Sequence, residues 1–213
     1  MNHATFTLAT NLKALVRRTS LAFVRHGNTL PKEECGGLDF QRVLSPKGKE
    51  QCRRARATWL PVLEAKGVTP IAVTSAAPRC HETLDEILGE VRPKISEEML
   101  YDSMLQPQGS ELFEKCGYAP LQTYLDEGGV EFLGDYARRF LVRLDAMTSN
   151  GEIPKLAPTL LICGHSIYTN AIVWEAAELL DVPSDLALET YLGETDGFLL
   201  TDKKITMLSS LSS

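Results

Sequence analysis

Leu21-Ala22-Phe23-Val24-Arg25-His26-Gly27-Asn28-Thr29 opens with four apolar residues and breaks off at two side chains that can carry positive charge. A short apolar run bounded by a polar turn is the pattern of a strand buried on both faces. Such strands belong to parallel sheets covered by helices, and the residues that follow support that reading. Ser45 suits a helix N-cap and Pro46 suits the first helical position, where a missing N–H costs nothing. Cys52, Ala55, Trp59 and Leu63 then recur at spacings of three and four, which predicts a helix with one apolar stripe. Pro61 is placed to kink this helix and Gly67 to end it.

The same unit recurs twice. Pro70-Ile71-Ala72-Val73-Thr74 reads as a second buried strand, followed by a polar loop and a helix over about Pro78 to Leu88. Pro158 to Cys163 reads as a third, running into Gly164-His165-Ser166 and a helix that carries Ile167, Ala171, Trp174 and Leu179. Leu133, Tyr136, Phe140, Leu144 and Met147 give a further helix over Val130 to Met147. Phe198-Leu199-Leu200 and Lys204-Ile205-Thr206-Met207 read as a closing hairpin or edge strands. Strands alternating with helices predict a three-layer α/β/α sandwich with a mostly parallel central sheet. The chain divides into a lead-in over 1–19 and one domain over 20–213. Residues 92–129, rich in Pro and Gly, form an insertion expected to cover a site.

Composition narrows the function classes. The 213 residues are enough for one substantial core. A formal charge of −6 argues against general affinity for nucleic acid or anionic membranes, which need a basic footprint. No apolar run approaches the roughly 20 residues of a membrane span. The five cysteines lack metal-ligand spacing, and their odd number fits free thiols in a reducing compartment. Cytoplasm is therefore the expected location. Met1 to Lys32 contains no Asp or Glu, a composition also found in organelle transit peptides. No feature sets an oligomeric state.

Three predicted strands end in loops that carry Arg25 and His26, Arg79, and His165. In an open α/β sheet, ligands sit beyond the carboxyl ends of the strands. Parallel strands would bring the three loops together, placing two guanidinium groups and two imidazoles in one pocket. A phosphoryl group suits that cluster: Arg offers a planar fork to its oxygens, and the helix N-termini after Arg79 and His165 add positive potential. A neutral His26 can attack phosphorus and split one hard step into two. Arg25, Arg79 and a protonated His165 would meet the charge on the equatorial oxygens. Gly27 allows close approach of backbone to ligand, while Asn28 and Ser75 either bind phosphate or shape the turns. The cations replace a metal in this scheme, and no cofactor is required.

These blocks resemble the histidine phosphatase superfamily, which includes the phosphoglycerate mutases. Arg25-His26-Gly27 is similar to its opening signature. Leu44, Ser45, Gly48 and Gln51 are in family places, Ser75 to Thr83 is similar to the block around the second arginine, and Gly164-His165 matches the second-histidine motif. The resemblance covers roughly residues 20 to 205. It implies that His26 accepts the phosphoryl group and that Arg25, Arg79 and His165 bind it. The family's acid is usually a Glu in an L-x-E context; here the matching stretch is Met99-Leu100-Tyr101-Asp102, which makes Asp102 the first choice of proton donor and Glu98 the second.

Cofactor-dependent mutases carry a longer signature with a Trp-Asn pair, where this chain has Leu30-Pro31-Lys32-Glu33-Glu34. Asp39 to Ser45 is closer to the small phosphohistidine-phosphatase branch. The resemblance thus implies a phosphatase acting on a phosphorylated small molecule or phosphoprotein. A phosphoglycerate mutase-type phosphotransferase and a catalytically silent phospho-ligand binder are the alternatives. His3 and His81 are read as non-catalytic, Arg53, Arg54 and Arg56 as a solvated helix face, and Cys80 and Cys163 as packing residues.

Overall fold

The computed structural model describes residues 3–64, 69–89, 93–102, 106–154 and 157–209. Six strands form one sheet: β1 (Ser20–Arg25), β2 (Ile71–Ser75), β3 (Lys94–Glu97), β4 (Thr159–Gly164), β5 (Gly197–Leu200) and β6 (Ile205–Leu208). Their spatial order is β3-β2-β4-β1-β5-β6. The first four strands are mutually parallel, and β5 and β6 are antiparallel. The central strands are apolar on both faces because helices cover both, as expected of parallel sheets.

Along the chain the helices are α1 (His3–Val16), α2 (Pro46–Leu63), α3 (Pro78–Leu88), α4 (Met99–Asp102), α5 (Pro107–Cys116), α6 (Leu121–Tyr124), α7 (Val130–Ser149), α8 (Ser166–Leu180) and α9 (Asp185–Glu189). α2 and α3 pack on one face through Cys52, Ala55, Trp59, Leu63, Leu84 and Ile87. α1, α7 and α8 pack on the other, where Leu12, Tyr136, Phe140 and Ile172 join Phe23 and Ile162. The sheet is thus the middle layer of the expected α/β/α sandwich.

Ser45 caps α2 as its residue type predicts: its Oγ accepts the Gly48 N–H at 3.0 Å, and Pro46 opens the helix. α2 continues helically through Pro61 to Leu63. Gly67 lies outside the described residues. α3 ends at Gly89, whose φ of 77° lies in the left-handed region that favours glycine.

Two boundaries differ from the sequence reading. The stretch 1–19 is not a solvated lead-in: α1 buries Leu8, Leu12, Leu15 and Val16 in the main core. Leu8, Leu12, Leu15 and Val16 recur at helical spacing and so share one face of α1. The insertion also begins later than residue 92, because Lys94–Glu97 pairs with Ala72–Ser75 as a parallel edge strand. That strand is too short and too polar to announce itself. The cover is therefore formed by α4, α5, α6 and the π-helical turn at Leu125–Gly129.

Leu12 tests the first correction. Leu12→Ala is expected to cost about 2–3 kcal/mol in urea unfolding, the usual range for truncating a buried leucine; a solvated lead-in would leave the midpoint unchanged.

Candidate active site

The register sets the site. Arg25 at the end of β1 is paired with Gly164 at the end of β4, and Thr74 near the end of β2 is paired with Cys163. The loops after these three strands must therefore emerge side by side. The His26 N–H donates to the Gly164 carbonyl at 3.2 Å, extending the β1–β4 pairing by one rung. Arg25, His26, Arg79 and His165 consequently line one cavity of about 600 Å³. The rings of His26 and His165 stand edge to face with centroids 5.1 Å apart.

Hydrogen bonding defines the reactive atom of His26. Its Nδ1 lies 2.8 Å from the Gly27 carbonyl, which can only accept. Nδ1 therefore carries the proton, and Nε2 keeps its lone pair. Desolvation, followed by the nearby Arg79, Arg25 and Arg42 charges, lowers the His26 pKa from 6.5 to about 3. The ring is neutral across the physiological range, a state that can act as a base or a nucleophile.

His165 is fully enclosed. Its Nε2 lies 3.0 Å from Ser75 Oγ and 3.8 Å from Cys80 Sγ. Burial, then His26, Arg79 and Arg25, push its pKa well below the ordinary histidine value. The protonated His165 expected from sequence is thus corrected: two guanidinium groups and a second imidazole, all within a poorly solvated pocket, disfavour a third positive charge. A neutral His165 can still offer one N–H.

Arg79 is buried, and its terminal nitrogens reach across to Asp39, Nη1 to the backbone carbonyl at 2.6 Å and Nη2 to Oδ2 at 2.9 Å. The Tyr101 hydroxyl donates to the same Oδ2, and Arg42 Nη1 reaches Oδ1 at 3.2 Å. Burial alone would raise the Asp39 carboxyl. Arg79 and the hydrogen bonds from Arg42, Tyr101 and Arg79 outweigh it, so the group sits below the usual carboxylate range. Arg25 Nη1 donates to the Leu192 carbonyl and the Tyr191 hydroxyl, and its guanidinium lies over the Tyr191 ring at 5.4 Å. Arg25 Nε, Arg79 Nε and His165 Nδ1 are buried without a hydrogen-bond partner among the described residues. Buried polar atoms are nearly always paired, so three such atoms on residues lining one cavity point to a ligand rich in acceptor oxygens.

Other sequence-predicted residues take different parts. Asn28 lines the cavity, but its side chain is already engaged: Oδ1 accepts from Ser45 Oγ and Nδ2 donates to Glu194. Gly27 does not line the cavity. A Cβ there would stand 2.9 Å from Cys52 Sγ and 3.0 Å from the Gly48 carbonyl, so glycine is required for packing on α2 rather than for ligand approach. Ser75 is likewise buried away from the cavity, where it holds His165. Thr83 Oγ1 accepts the Gly27 N–H and donates to the Arg79 carbonyl, and Glu82 accepts the Leu44 N–H at 2.7 Å. Glu98 is exposed in the turn before α4 and does not line the cavity. Asp102 ends α4, directly after Tyr101; its side chain lies outside the described residues.

Sequence reasoning missed Arg42, Tyr101, Tyr191 and Glu194, all of which line the cavity. Arg42 and Tyr101 sit next to residues already singled out, whereas Tyr191 and Glu194 arrive from a loop with no motif. His81, on α3, is outside the site, and Arg53 and Arg54 pair with Glu50 and Glu86 on the surface. All five cysteines are free, with Cys52, Cys80 and Cys163 buried. Among the described residues, no cluster of His, Cys, Asp and Glu could hold a metal ion, and no helix is long and apolar enough to cross a membrane.

The profile of the histidine phosphatase superfamily (branch 1) matches residues 21–179, and the chain belongs to that superfamily. Solved structures share its fold at low identity. Bacillus stearothermophilus YhfR is 19% identical with a TM-score of 0.54, over 92% of this chain and 98% of that one. The alpha-ribazole phosphatase of Shigella flexneri is 16% identical with a TM-score of 0.53, over 90% and 97%. The phosphoserine phosphatase of Entamoeba histolytica, in complex with 3-phosphoglyceric acid, is 16% identical with a TM-score of 0.52, over 90% and 95%. No curated protein matches the chain.

The lowered pKa of His26 has a stability consequence. In the unfolded chain the ring binds a proton near pH 6.5, whereas in the fold it does so only near 3. The unfolded state therefore holds more protons between these values, and stability falls as pH is lowered through that window. His26→Asn removes this linkage. Its melting temperature should drop less between pH 7 and pH 4 than that of the wild type; equal drops would contradict the assigned environment.

Proposed function

We propose that this member of the histidine phosphatase superfamily hydrolyses phosphomonoesters through a phosphohistidine on His26, without a metal. The observation that carries the reading is the geometry around Nε2. One nucleophilic nitrogen keeps its lone pair, while Arg25, Arg79 and His165 on three converging loops each retain a buried nitrogen without a partner. An acceptor with several oxygens and an electrophilic centre answers both features.

In the first step the Nε2 lone pair attacks phosphorus and the P–O bond to the alcohol breaks. The departing oxygen takes a proton from a carboxylic acid. Arg25 and Arg79 offset the charge spread over the equatorial oxygens. In the second step water attacks phosphorus, gives a proton to the same carboxylate, and the P–N bond breaks. Free phosphate leaves and Nε2 recovers its lone pair. Asp39 is a poor proton donor because Arg79 holds it ionised. Glu194 has both oxygens engaged, accepting from the amides of Asn28 and Gln51. Asp102 remains the proposed donor, supported by its position next to Tyr101, whose ring meets that of His165 at 5.5 Å.

The mutase alternative needs transfer to a second alcohol in place of water, and the silent alternative needs loss of a core residue. Arg25, His26, Arg79 and His165 are all present and together. Asp39 occupies both terminal nitrogens of Arg79, so substrate oxygens that reach them must share or displace those contacts.

The expected outcome is release of phosphate from an aryl phosphate in the presence of a chelator, with an acid-labile phosphoenzyme. His26→Ala should lower kcat by at least about 1000-fold, and undiminished turnover in that variant would sink the mechanism. Asp102→Asn should slow the first step by about 100-fold for poor leaving groups and little for good ones, with Glu98→Gln near wild type. The reverse order would reassign the donor.

A further inference from the structure

A phosphoryl group fills only a small part of the roughly 600 Å³ cavity, a size that holds an entire small organic molecule. The remainder is apolar and largely aromatic. Besides the phosphoryl-binding residues it is lined by Leu112, Phe113, Tyr118, Tyr124, Phe132 and Ile167. Among the described residues of 107–133 that line the cavity Glu114 bears the sole charge, so a second phosphate or a carboxylate on the substrate meets repulsion and no cation from that segment.

The aromatic side chains are also ordered in space. Phe113 and Tyr118 stand edge to face at 5.4 Å and 85°, and Tyr118 and Tyr191 at 5.9 Å and 73°. Tyr191 in turn lies under the Arg25 guanidinium. A track of rings thus starts at a phosphate-binding cation and runs outward along the cavity. Tyr118 is 72% exposed and Phe113 47%, a large aromatic surface left in water unless something flat lies against it.

We infer that this half of the cavity is a binding site for an uncharged aromatic ring, and that the substrates are small phosphomonoesters whose alcohol carries such a ring. The inference rests on the phosphatase reading for its substrates, but the ring site can be measured apart from turnover. Edge-to-face contacts with Tyr118 and Phe113, together with the apolar area they cover, would supply the preference.

The test compares 2-phenylethyl phosphate with ethyl phosphate. Both are primary alkyl esters with leaving groups of similar acidity, so a difference in kcat/KM reports the ring and not the chemistry. A preference of about ten-fold for the phenylethyl ester is expected, and Tyr118→Ala and Phe113→Ala should each erode it while leaving ethyl phosphate turnover unchanged. Both side chains are too exposed for these changes to threaten folding. Calorimetric titration with 2-phenylethylphosphonate and ethylphosphonate, which cannot be hydrolysed, reads the same preference as a ratio of Kd values. Equal kcat/KM and equal Kd for the two members of each pair would overturn the ring site, as would a preference that survives both alanine variants. A ring preference among the phosphonates with neither ester hydrolysed would support the ring site and sink the hydrolase reading.

Discussion

Parallel pairing of β1 with its neighbour β4 is the constraint on which the site depends. The register puts Arg25 opposite Gly164, and β2 ends alongside β4. Once those pairings form, His26, His165 and the start of α3 have no choice but to meet. The additional bond from the His26 N–H to the Gly164 carbonyl carries the pairing into the loop itself. The histidine backbone is therefore part of the sheet although its side chain is part of the cavity. Such a site is rigid where chemistry needs precision, because every reactive side chain starts within a residue or a helical turn of a strand end.

Gathering three guanidinium groups and two imidazoles into one cavity is unfavourable, and the fold offsets it in specific ways. The imidazoles stay neutral, each with its pKa driven down. Arg79 leans on the Asp39 carboxylate, and Arg25 on a carbonyl, a hydroxyl and the face of Tyr191. What remains unpaired is one nitrogen on each of three residues. The partners of Arg25 are all uncharged, and the three nitrogens lack acceptors among the described residues, the condition in which an oxygen-rich anion gains most by entering.

A second network holds the loop beside His26. Ser45 caps α2 and also donates to Asn28; Asn28 and Gln51 both donate to Glu194. The loop after β1, the start of α2 and the loop before β5 are thereby tied together. Gly27 and Gly48 belong to the same arrangement. A Cβ on Gly48 would come within 2.0 Å of the Asn28 carbonyl, so α2 can approach the β1 loop only with glycine there. Residues that look like ligand-binding positions in a motif are, in several cases, the joints that let the loop and the helix touch.

The sequence by itself determined the central strands β1, β2 and β4, because apolar runs such as Leu21 to Val24 and Thr159 to Cys163 are buried on both faces and need no partner to be recognised. It determined α2 and α3 through caps and apolar spacing, and it determined His26, Arg25, Arg79 and His165 through their places at strand ends. Those signals are local, and local chemistry is what a sequence writes down directly. The tertiary structure decided the rest. Ser75 and Gly27 became supports because their neighbours come from α3, α8 and α2, many residues away. His165 became neutral because charge state depends on every cation in the pocket at once. Arg42, Tyr101, Tyr191 and Glu194 entered the site because three distant segments fold over it, and no spacing within any one segment encodes that meeting.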